Sequence, residues 1–297
     1  MSLNINPSLP TFLITHANCP DGSACAVFAK QKYPNLKTVF ALHNSVNVIV
    51  QDTVKQLDQG GVLLIADIVC DEDILNKICM ELMKLNVFIG IYEHHKSRDW
   101  LETYKLPAGI SGEVIFDNKR CGSKILYDAL VKGGSDNLSN YLDFSNVIND
   151  RDLWLNKDDR GILMAKLHHI YGDESFVDRF LKNEKATFTK EESVLIDFVA
   201  KQENDRIENE LDRIQILKDD SGYDYGIIYC SGESSDLLNA AIERFNLEYA
   251  IMLDLNRNKG SIRGLGNMDC SEFASSRGGG GHRCASGFPI SVNRPEI

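Results

Sequence analysis

The stretch VFIGIYEHHKS at residues 87–97 joins a continuous apolar run to two adjacent histidines. Its first part, Val87–Tyr92, has the pattern of a strand that is buried on both faces, and Thr11–Thr15 and Val62–Ala66 repeat this pattern upstream. Between the second and third runs, residues 71–85 carry apolar side chains at helical spacing. Strand, helix and strand in this order predict an α/β fold with a parallel sheet.

Polar residues follow each of these three strands, at the point where the apolar run ends. In open α/β sheets, ligands bind in the crevice beyond the carboxyl ends of the strands, so the three polar segments are expected to converge there. Carboxylates and imidazoles together suit a divalent transition metal such as manganese. The candidates are His16, Cys19 and Asp21 after the first strand, Asp67 after the second, and Glu93, His94 and His95 after the third.

The charge balance limits the partners of the protein. Its 297 residues contain 32 Lys and Arg against 43 Asp and Glu, a formal net charge of −11. This balance argues against a protein that wraps long duplex nucleic acid through a basic face, but it allows a small phosphorylated substrate. No apolar run approaches the roughly 20 residues that cross a bilayer, so no membrane partner is expected.

The cell compartment is predicted from two further features. The N-terminal residues lack the basic start and apolar core of a secretory signal. The eight cysteines show neither a CxxC pair nor the dense spacing of a disulfide scaffold. We therefore expect a cytoplasmic protein with reduced thiols.

The length accommodates one or two domains. Residues 189–217 are charged, yet their apolar residues recur at helical spacing, which predicts one long helix before a second α/β segment begins. We expect three parts: an α/β domain at 1–190, a helical linker at 191–220 and a smaller α/β domain at 221–297; the family resemblance described below implies that the first binds metal and is catalytic and that the last binds substrate.

Five motifs resemble those of the DHH phosphoesterases that carry a DHHA1 domain. They occur in the family's order and extend over nearly the whole chain. The most similar members are the small oligoribonucleases and nanoRNases, and the resemblance extends to bacterial exopolyphosphatase-like proteins. The motifs are HANCPDG at 16–22, Asp67, EHHKS at 93–97, NDRDLW at 149–154 and GGGGHRCASG at 278–287.

The resemblance implies a metal-dependent phosphoesterase with its site in a cleft between two domains. Family members bind one or two divalent cations, usually Mn²⁺, with Mg²⁺ or Co²⁺ as alternatives. By position, the metal ligands would be His16, Asp21, Asp67 and His94, joined by Asp150, Asp152 or both, a choice that the sequence leaves open. The catalytic group would consist of Asp21, Asp67 and His95, with His95 near the scissile phosphate.

In the second domain, the resemblance assigns Arg263 and His282 to the substrate's phosphate or terminal nucleotide. The amides of Gly278–Gly281, which include Gly279, Gly280 and Gly281, would contribute as well, because a glycine run can present successive N–H groups to an anion. A short helix is expected before this run, with Asp269 as its cap.

Two positions depart from the family pattern. Glu93 stands where the third motif usually has an aspartate, and Cys19 stands where the first motif often has one. The roles of both residues in the site stay open. Because a thiol is a softer ligand than a carboxylate, the site could hold one tightly bound and one weakly bound metal ion. Outside the motifs, His168 is interpreted as structural and Trp154 as a core residue.

Together these features predict a Mn²⁺-dependent phosphodiesterase that degrades short oligonucleotides or small phosphorylated nucleotides. A homodimer is compatible with this prediction. Two alternatives stay open: a phosphatase of polyphosphate or pyrophosphate, and a nucleotide-binding protein whose catalysis is weakened by Glu93 and Cys19.

Overall fold

The computed structural model describes residues 6, 8–232 and 234–291, and the contacts within the chain divide it into two units. The first unit contains the residues up to His94 together with Arg98–Asp197. The second contains His95–Ser97 and the residues from Phe198 onward. Each unit is built around its own β-sheet.

The sheet of the first unit has five parallel strands in the order β2-β1-β3-β4-β5. The three strands predicted from apolar runs are present as β1, β3 and β4, which lie next to one another in the sheet. This arrangement confirms the predicted parallel α/β fold. The strands are β1 Thr11–His16, β2 Lys37–Ala41, β3 Val62–Ala66, β4 Phe88–Glu93 and β5 Gly112–Phe116.

Helices cover both faces of this sheet, which is why its central strands are apolar along their whole length. Because side chains alternate along a strand, Leu13 and Leu64 enter the core beneath α1, α4, α5 and α6, while Ile14 and Ile65 enter the core beneath α2 and α3. The helices are α1 Pro20–Lys32, α2 Val46–Val54, α3 Glu72–Lys84, α4 Gly122–Lys132, α5 Leu142–Asp152 and α6 Arg160–Lys182. Short 3₁₀ helices span Lys96–Glu102 and Asp136–Tyr141.

The second unit has a mixed sheet of six strands in the order β10-β11-β9-β8-β7-β6. Only the pair β7 and β8 is parallel among the pairs of this sheet. The strands are β6 Gln215–Lys218, β7 Asp224–Tyr229, β8 Tyr249–Asp254, β9 Lys259–Gly264, β10 Gly280–His282 and β11 Ala285–Pro289. The remaining helices are α7 Lys190–Leu211, α8 Ser235–Phe245 and α9 Cys270–Ser275.

The predicted helix at residues 189–217 is too long. Helix α7 ends at Leu211, and residues 215–218 form an edge strand that pairs antiparallel with β7. Ile214 packs against Gly226 of that neighbouring strand, where an added Cβ would lie 2.5 Å from the Ile214 side chain. The segment 191–220 is therefore helical only in its first part, and the division between the two units falls inside α7.

Among the described residues, none of the helices combines the length and the apolar character that a bilayer crossing requires.

Candidate active site

Three neighbouring strands of the first sheet end at the same level. Thr15 of β1 pairs with Ala66 of β3, and Ala66 pairs with Tyr92 of β4. The residues that follow these positions therefore emerge side by side at the carboxyl edge of the sheet. They supply the polar residues of the first three sequence motifs.

Five side chains form a cluster at this edge, which we call the acidic centre: His16, Asp21, Asp67, His94 and Asp152. His94 Nε2 lies 3.1 Å from Asp67 Oδ1, 3.8 Å from Asp21 Oδ2 and 3.7 Å from Asp152 Oδ2. His16 Nδ1 lies 3.7 Å from Asp67 Oδ2. The side chains of Asp21, Asp67 and His94 are buried, whereas those of His16 and Asp152 are 21% and 22% exposed. Solvent therefore reaches the centre from the side of His16 and Asp152.

The backbone of Asp67 has the left-handed conformation, with φ of 60°. This conformation is uncommon for a residue with a Cβ and is concentrated at functional sites. Two features keep it in place. The Asp67 amide donates to the carbonyl of Tyr92 at 2.9 Å, and Gly122 packs so closely that an added Cβ would lie 2.7 Å from Asp67 Cα. The turn after β3 is therefore shaped to present the Asp67 carboxylate.

Asp21 is placed by the sharp transition from β1 to α1. Gly22 permits it, since an added Cβ at that position would lie 2.0 Å from the carbonyl oxygen of His16. Asp21 Oδ1 accepts a hydrogen bond of 3.0 Å from the amide of Ser123, which fixes the carboxylate. Its other oxygen points toward His94.

The acidic centre has the electrostatics of a cation site. Burial raises the pKa of Asp67 well above its ordinary value, and the nearby charges of Asp21 and Asp152 raise it further. Asp21 Oδ2 and Asp67 Oδ2 are both buried, and neither receives a hydrogen bond from the residues that the structure describes. Buried carboxylate oxygens without donors are costly unless a cation compensates them. The donor set of carboxylates and imidazole therefore fits a divalent cation.

The structure distinguishes the two aspartates that the fourth motif offered. Asp150 is turned away from the acidic centre, and its carboxylate accepts hydrogen bonds from the amides of Lys157 at 2.9 Å and Asp158 at 3.1 Å. Asp152, at the end of α5, directs Oδ2 toward His94. Of these two aspartates, Asp152 is therefore the one that faces His94, whereas the Asp150 carboxylate anchors the turn that follows α5.

The two departures from the family pattern have different surroundings. Glu93 is buried, and its Oε1 accepts a hydrogen bond of 2.7 Å from the His94 amide, so it fixes the start of the histidine pair. Cys19 Sγ lies within 4.8 Å of ligand atoms of His16 and Asp67. Burial raises the pKa of the Cys19 thiol well above its ordinary value, and the neighbouring carboxylates raise it further, which keeps the thiol protonated in the absence of a cation.

Sequence reasoning missed Asp173, which anchors the first motif from a distance of 155 residues along the chain. Its carboxylate accepts hydrogen bonds from the Asn18 amide at 2.9 Å and from Ser23 Oγ at 3.0 Å, and it lies 2.9 Å from His168 Nε2. The structural interpretation of His168 agrees with this network. No local pattern around Asp173 indicates its role, because each of its partners except His168 belongs to a distant segment.

Trp154 is not a core residue as predicted, because it is 37% exposed. It follows the end of α5 in the left-handed conformation, with φ of 56°, and this turn directs the side chain outward. The guanidinium of Arg151 lies over its ring, 3.9 Å from the centroid.

In the second unit, the predicted cap of α9 is confirmed: Asp269 accepts hydrogen bonds from the amides of Ser271 and Glu272. The predicted role of the whole glycine run is only partly compatible with the structure. The amides of Gly278 and Gly279 donate to carbonyls of the preceding helix, at 3.0 and 2.9 Å, because they terminate α9. The Gly279 amide is therefore engaged, which corrects its assignment as an anion donor.

The other predicted substrate residues also belong to the second unit. Gly280, Gly281 and His282 form the edge strand β10. Arg263 on β9 donates to Ser235 Oγ at 2.6 Å. His95 belongs to this unit as well, and its ring stacks on that of His282 with 4.8 Å between the centroids.

Comparison with known proteins agrees with this description. No protein-family model matches the chain. Oligoribonuclease NrnB of Bacillus subtilis is 25% identical over 293 residues, which cover 91% of this chain and 70% of that protein.

Among solved structures, a DHH domain described as a member of the s1p family of ribosomal proteins has a TM-score of 0.59 at 12% identity, covering 95% of this chain and 82% of that one. An exopolyphosphatase-related protein from Bacteroides fragilis has a TM-score of 0.54 at 12% identity, covering 97% and 88%. The chain therefore shares its fold with a DHH domain and is similar over most of its length to an oligoribonuclease.

Proposed function

We propose that this protein is a divalent-cation-dependent phosphodiesterase that hydrolyses short oligonucleotides. The observation that carries the proposal is the acidic centre, where two buried carboxylate oxygens, one each of Asp21 and Asp67, receive no hydrogen bond from the described residues. The oligonucleotide substrate is supported by the similarity over 91% of the chain to an oligoribonuclease. The net charge of −11 disfavours long polyanions and leaves short ones as substrates.

The ligands of the cation would be Asp21, Asp67, His94 and Asp152, with His16 at the exposed side of the centre. Carboxylate and imidazole donors favour Mn²⁺, with Mg²⁺ and Co²⁺ as alternatives. A bound divalent cation polarises the phosphoryl group and lowers the pKa of water, so that hydroxide becomes available near neutral pH. Asp67 directs one oxygen toward His94 and the other toward His16, so both of its oxygens would be available to hold a divalent cation.

The chain's own groups would orient the reaction. Glu93 and Ser123 fix His94 and Asp21 through backbone hydrogen bonds, so the centre is formed before substrate arrives. His16 is partly exposed, and its Nδ1 lies 3.7 Å from Asp67 Oδ2. His95 is proposed to contact the scissile phosphate, while Arg263, His282 and the edge strand β10 are proposed to hold a second phosphate or a terminal nucleotide.

The test is a substrate panel assayed with Mn²⁺, Mg²⁺ or Co²⁺. It contains dinucleotides, 5-mers, 3′-phosphoadenosine 5′-phosphate, cyclic dinucleotides and inorganic polyphosphate. We expect turnover of dinucleotides and 5-mers, abolished by Asp67→Ala and by His94→Ala. The fourth motif supplies a matched pair: Asp152→Asn should remove cation-dependent turnover, whereas Asp150→Asn should retain it in the folded fraction.

Two results would overturn the proposal. Hydrolysis of polyphosphate alone would indicate a phosphoanhydride hydrolase. Tight binding of nucleotides without turnover in any of the three metals would indicate a nucleotide-binding protein.

A further inference from the structure

An exposed aromatic side chain closely follows one residue of the acidic centre along the chain. Trp154 is 37% exposed and the neighbouring Leu155 is 46% exposed, although large apolar side chains are usually buried. Trp154 follows Asp152 by two residues, so their Cα atoms are at most about 7 Å apart. The Trp154 ring is therefore carried by the turn that directly follows a proposed cation ligand.

The turn that carries Trp154 is held in place by several hydrogen bonds. The amide of Trp154 donates to the carbonyl of Arg151 at 3.1 Å, and the amide of Leu155 donates to that of Asp150 at 2.9 Å. The Asp150 carboxylate binds the amides of residues 157 and 158 on the far side of the turn. The left-handed conformation of Trp154 is unfavourable for a residue with a bulky side chain, and these bonds maintain it. The backbone that carries the ring is thus held in a fixed conformation.

The surroundings of the ring favour an aromatic anion as its partner. The Arg151 guanidinium lies over the ring at 3.9 Å from the centroid and places a positive charge against its face. Nucleobases stack on aromatic side chains and on guanidinium planes, and a base carries its phosphate with it. Inorganic polyphosphate has no group that could use the ring.

We propose that Trp154, supported by Arg151, is the surface on which one base of the substrate stacks while the adjoining phosphodiester lies at the acidic centre. This inference rests on the proposed phosphodiesterase function and specifies its substrate: a chain with bases, in preference to a bare chain of phosphates.

The kinetic test compares Trp154→Ala and Trp154→Phe on two substrates. The first is the dinucleotide ApA, and the second is its analogue in which both bases are replaced by hydrogen. Stacking contributions of the usual size predict that Trp154→Ala lowers kcat/KM for ApA by about 5- to 150-fold, with most of the loss in KM. Trp154→Phe should recover most of it. The analogue without bases should be hydrolysed equally by wild type and by Trp154→Ala. An equal loss on both substrates would overturn the proposal.

A second readout does not depend on turnover. The chain has two tryptophans, so Trp100→Phe leaves Trp154 as the single indole fluorophore. Titration with ApA should quench this fluorescence, whereas inorganic tripolyphosphate should not. If the wild type fails to hydrolyse ApA, the proposed function is wrong. The fluorescence titration then still shows whether a base stacks on Trp154. Absence of quenching at ApA concentrations that saturate the enzyme would refute the stacking surface even if hydrolysis is confirmed.

Discussion

Replacing Asp67 by asparagine should stabilise the metal-free protein and at the same time remove most of its response to divalent cations. The reason is that burial, together with the charges of Asp21 and Asp152, raises the pKa of Asp67. Asparagine retains an oxygen that can stay in contact with His94, which lies 3.1 Å from Asp67 Oδ1. The substitution therefore removes a charge with little change in shape.

The size of the effect follows from the spacing of the ligand atoms. Oxygens of Asp21 and Asp67 lie within 4.8 Å of each other. Two full charges at this distance repel by about 3.5 kcal/mol at an effective dielectric constant near 20. Partial protonation of Asp67 reduces the penalty, so we expect Asp67→Asn to raise the free energy of unfolding by about 1–3 kcal/mol at neutral pH.

The pH dependence has a defined sign. Because the pKa of Asp67 is raised in the folded state, the wild type is penalised as pH rises from the unfolded-state value near 4 toward the folded-state value. The advantage of Asp67→Asn should therefore be small near pH 5 and grow toward pH 8. Urea unfolding in EDTA, followed by circular dichroism at pH 5, 6.5 and 8, measures it.

The same measurement in Mn²⁺ tests the cation site. A cation at a hundred times its Kd stabilises the wild type by about 2.7 kcal/mol, and Asp67→Asn should lose most of this gain. Asp150→Asn is the matched control: it should lower stability in EDTA by about 1–3 kcal/mol, because amides lose a charged acceptor, and yet respond to Mn²⁺ like the wild type. The reasoning fails if Asp67→Asn is the less stable protein in EDTA at every pH, or if both variants gain equally from Mn²⁺.

Three further substitutions probe the supports of the two units. Gly122→Ala would place a methyl group 2.7 Å from Cα of Asp67, so we expect a loss of about 1–3 kcal/mol in urea unfolding and a weaker Mn²⁺ response in calorimetric titration. Burial raises the pKa of Asp173, but hydrogen bonds to its carboxylate outweigh burial and lower the pKa overall. Asp173→Asn should therefore lower the free energy of unfolding by about 1–3 kcal/mol near pH 7. This difference from the wild type should shrink as pH falls below 4, where the wild-type carboxylate becomes protonated. Gly279→Ala would place Cβ 2.1 Å from the carbonyl oxygen of Gly287; proteolysis should show a loosened second unit, while the Mn²⁺ response of the first unit is retained.

The sequence predicted the parts of the fold that depend on local pattern. Apolar runs marked β1, β3 and β4, and the polar residues after them marked the acidic centre, because both signals lie within a few residues of each other. The helix prediction is wrong after Leu211. Ile214 and Leu217 continue the helical spacing of apolar residues, but α7 has ended there and residues 215–218 form an edge strand. What decides that segment is pairing with β7, which no local pattern shows.

The site was predicted to the level of motifs, but not of individual roles. Asp150 and Asp152 are equivalent in the sequence and differ only in which way the end of α5 turns them. The glycine run was expected to bind an anion with all its amides, yet Gly279 is required for close packing and for ending α9. Trp154 was expected in the core. It is exposed because the backbone turns at this residue, and the neighbouring sequence does not indicate that turn.

The hydrogen bond from the Asn18 amide to Asp173 also bears on how the protein is made. It closes a loop of 155 residues, and contacts of such separation form late, since the chain loses much freedom before they are made. A nascent chain that has not yet released α6 from the ribosome already contains all four N-terminal motifs but lacks the anchor of the first one. The acidic centre should therefore be complete only after α6 has docked, although all of its ligands are made earlier.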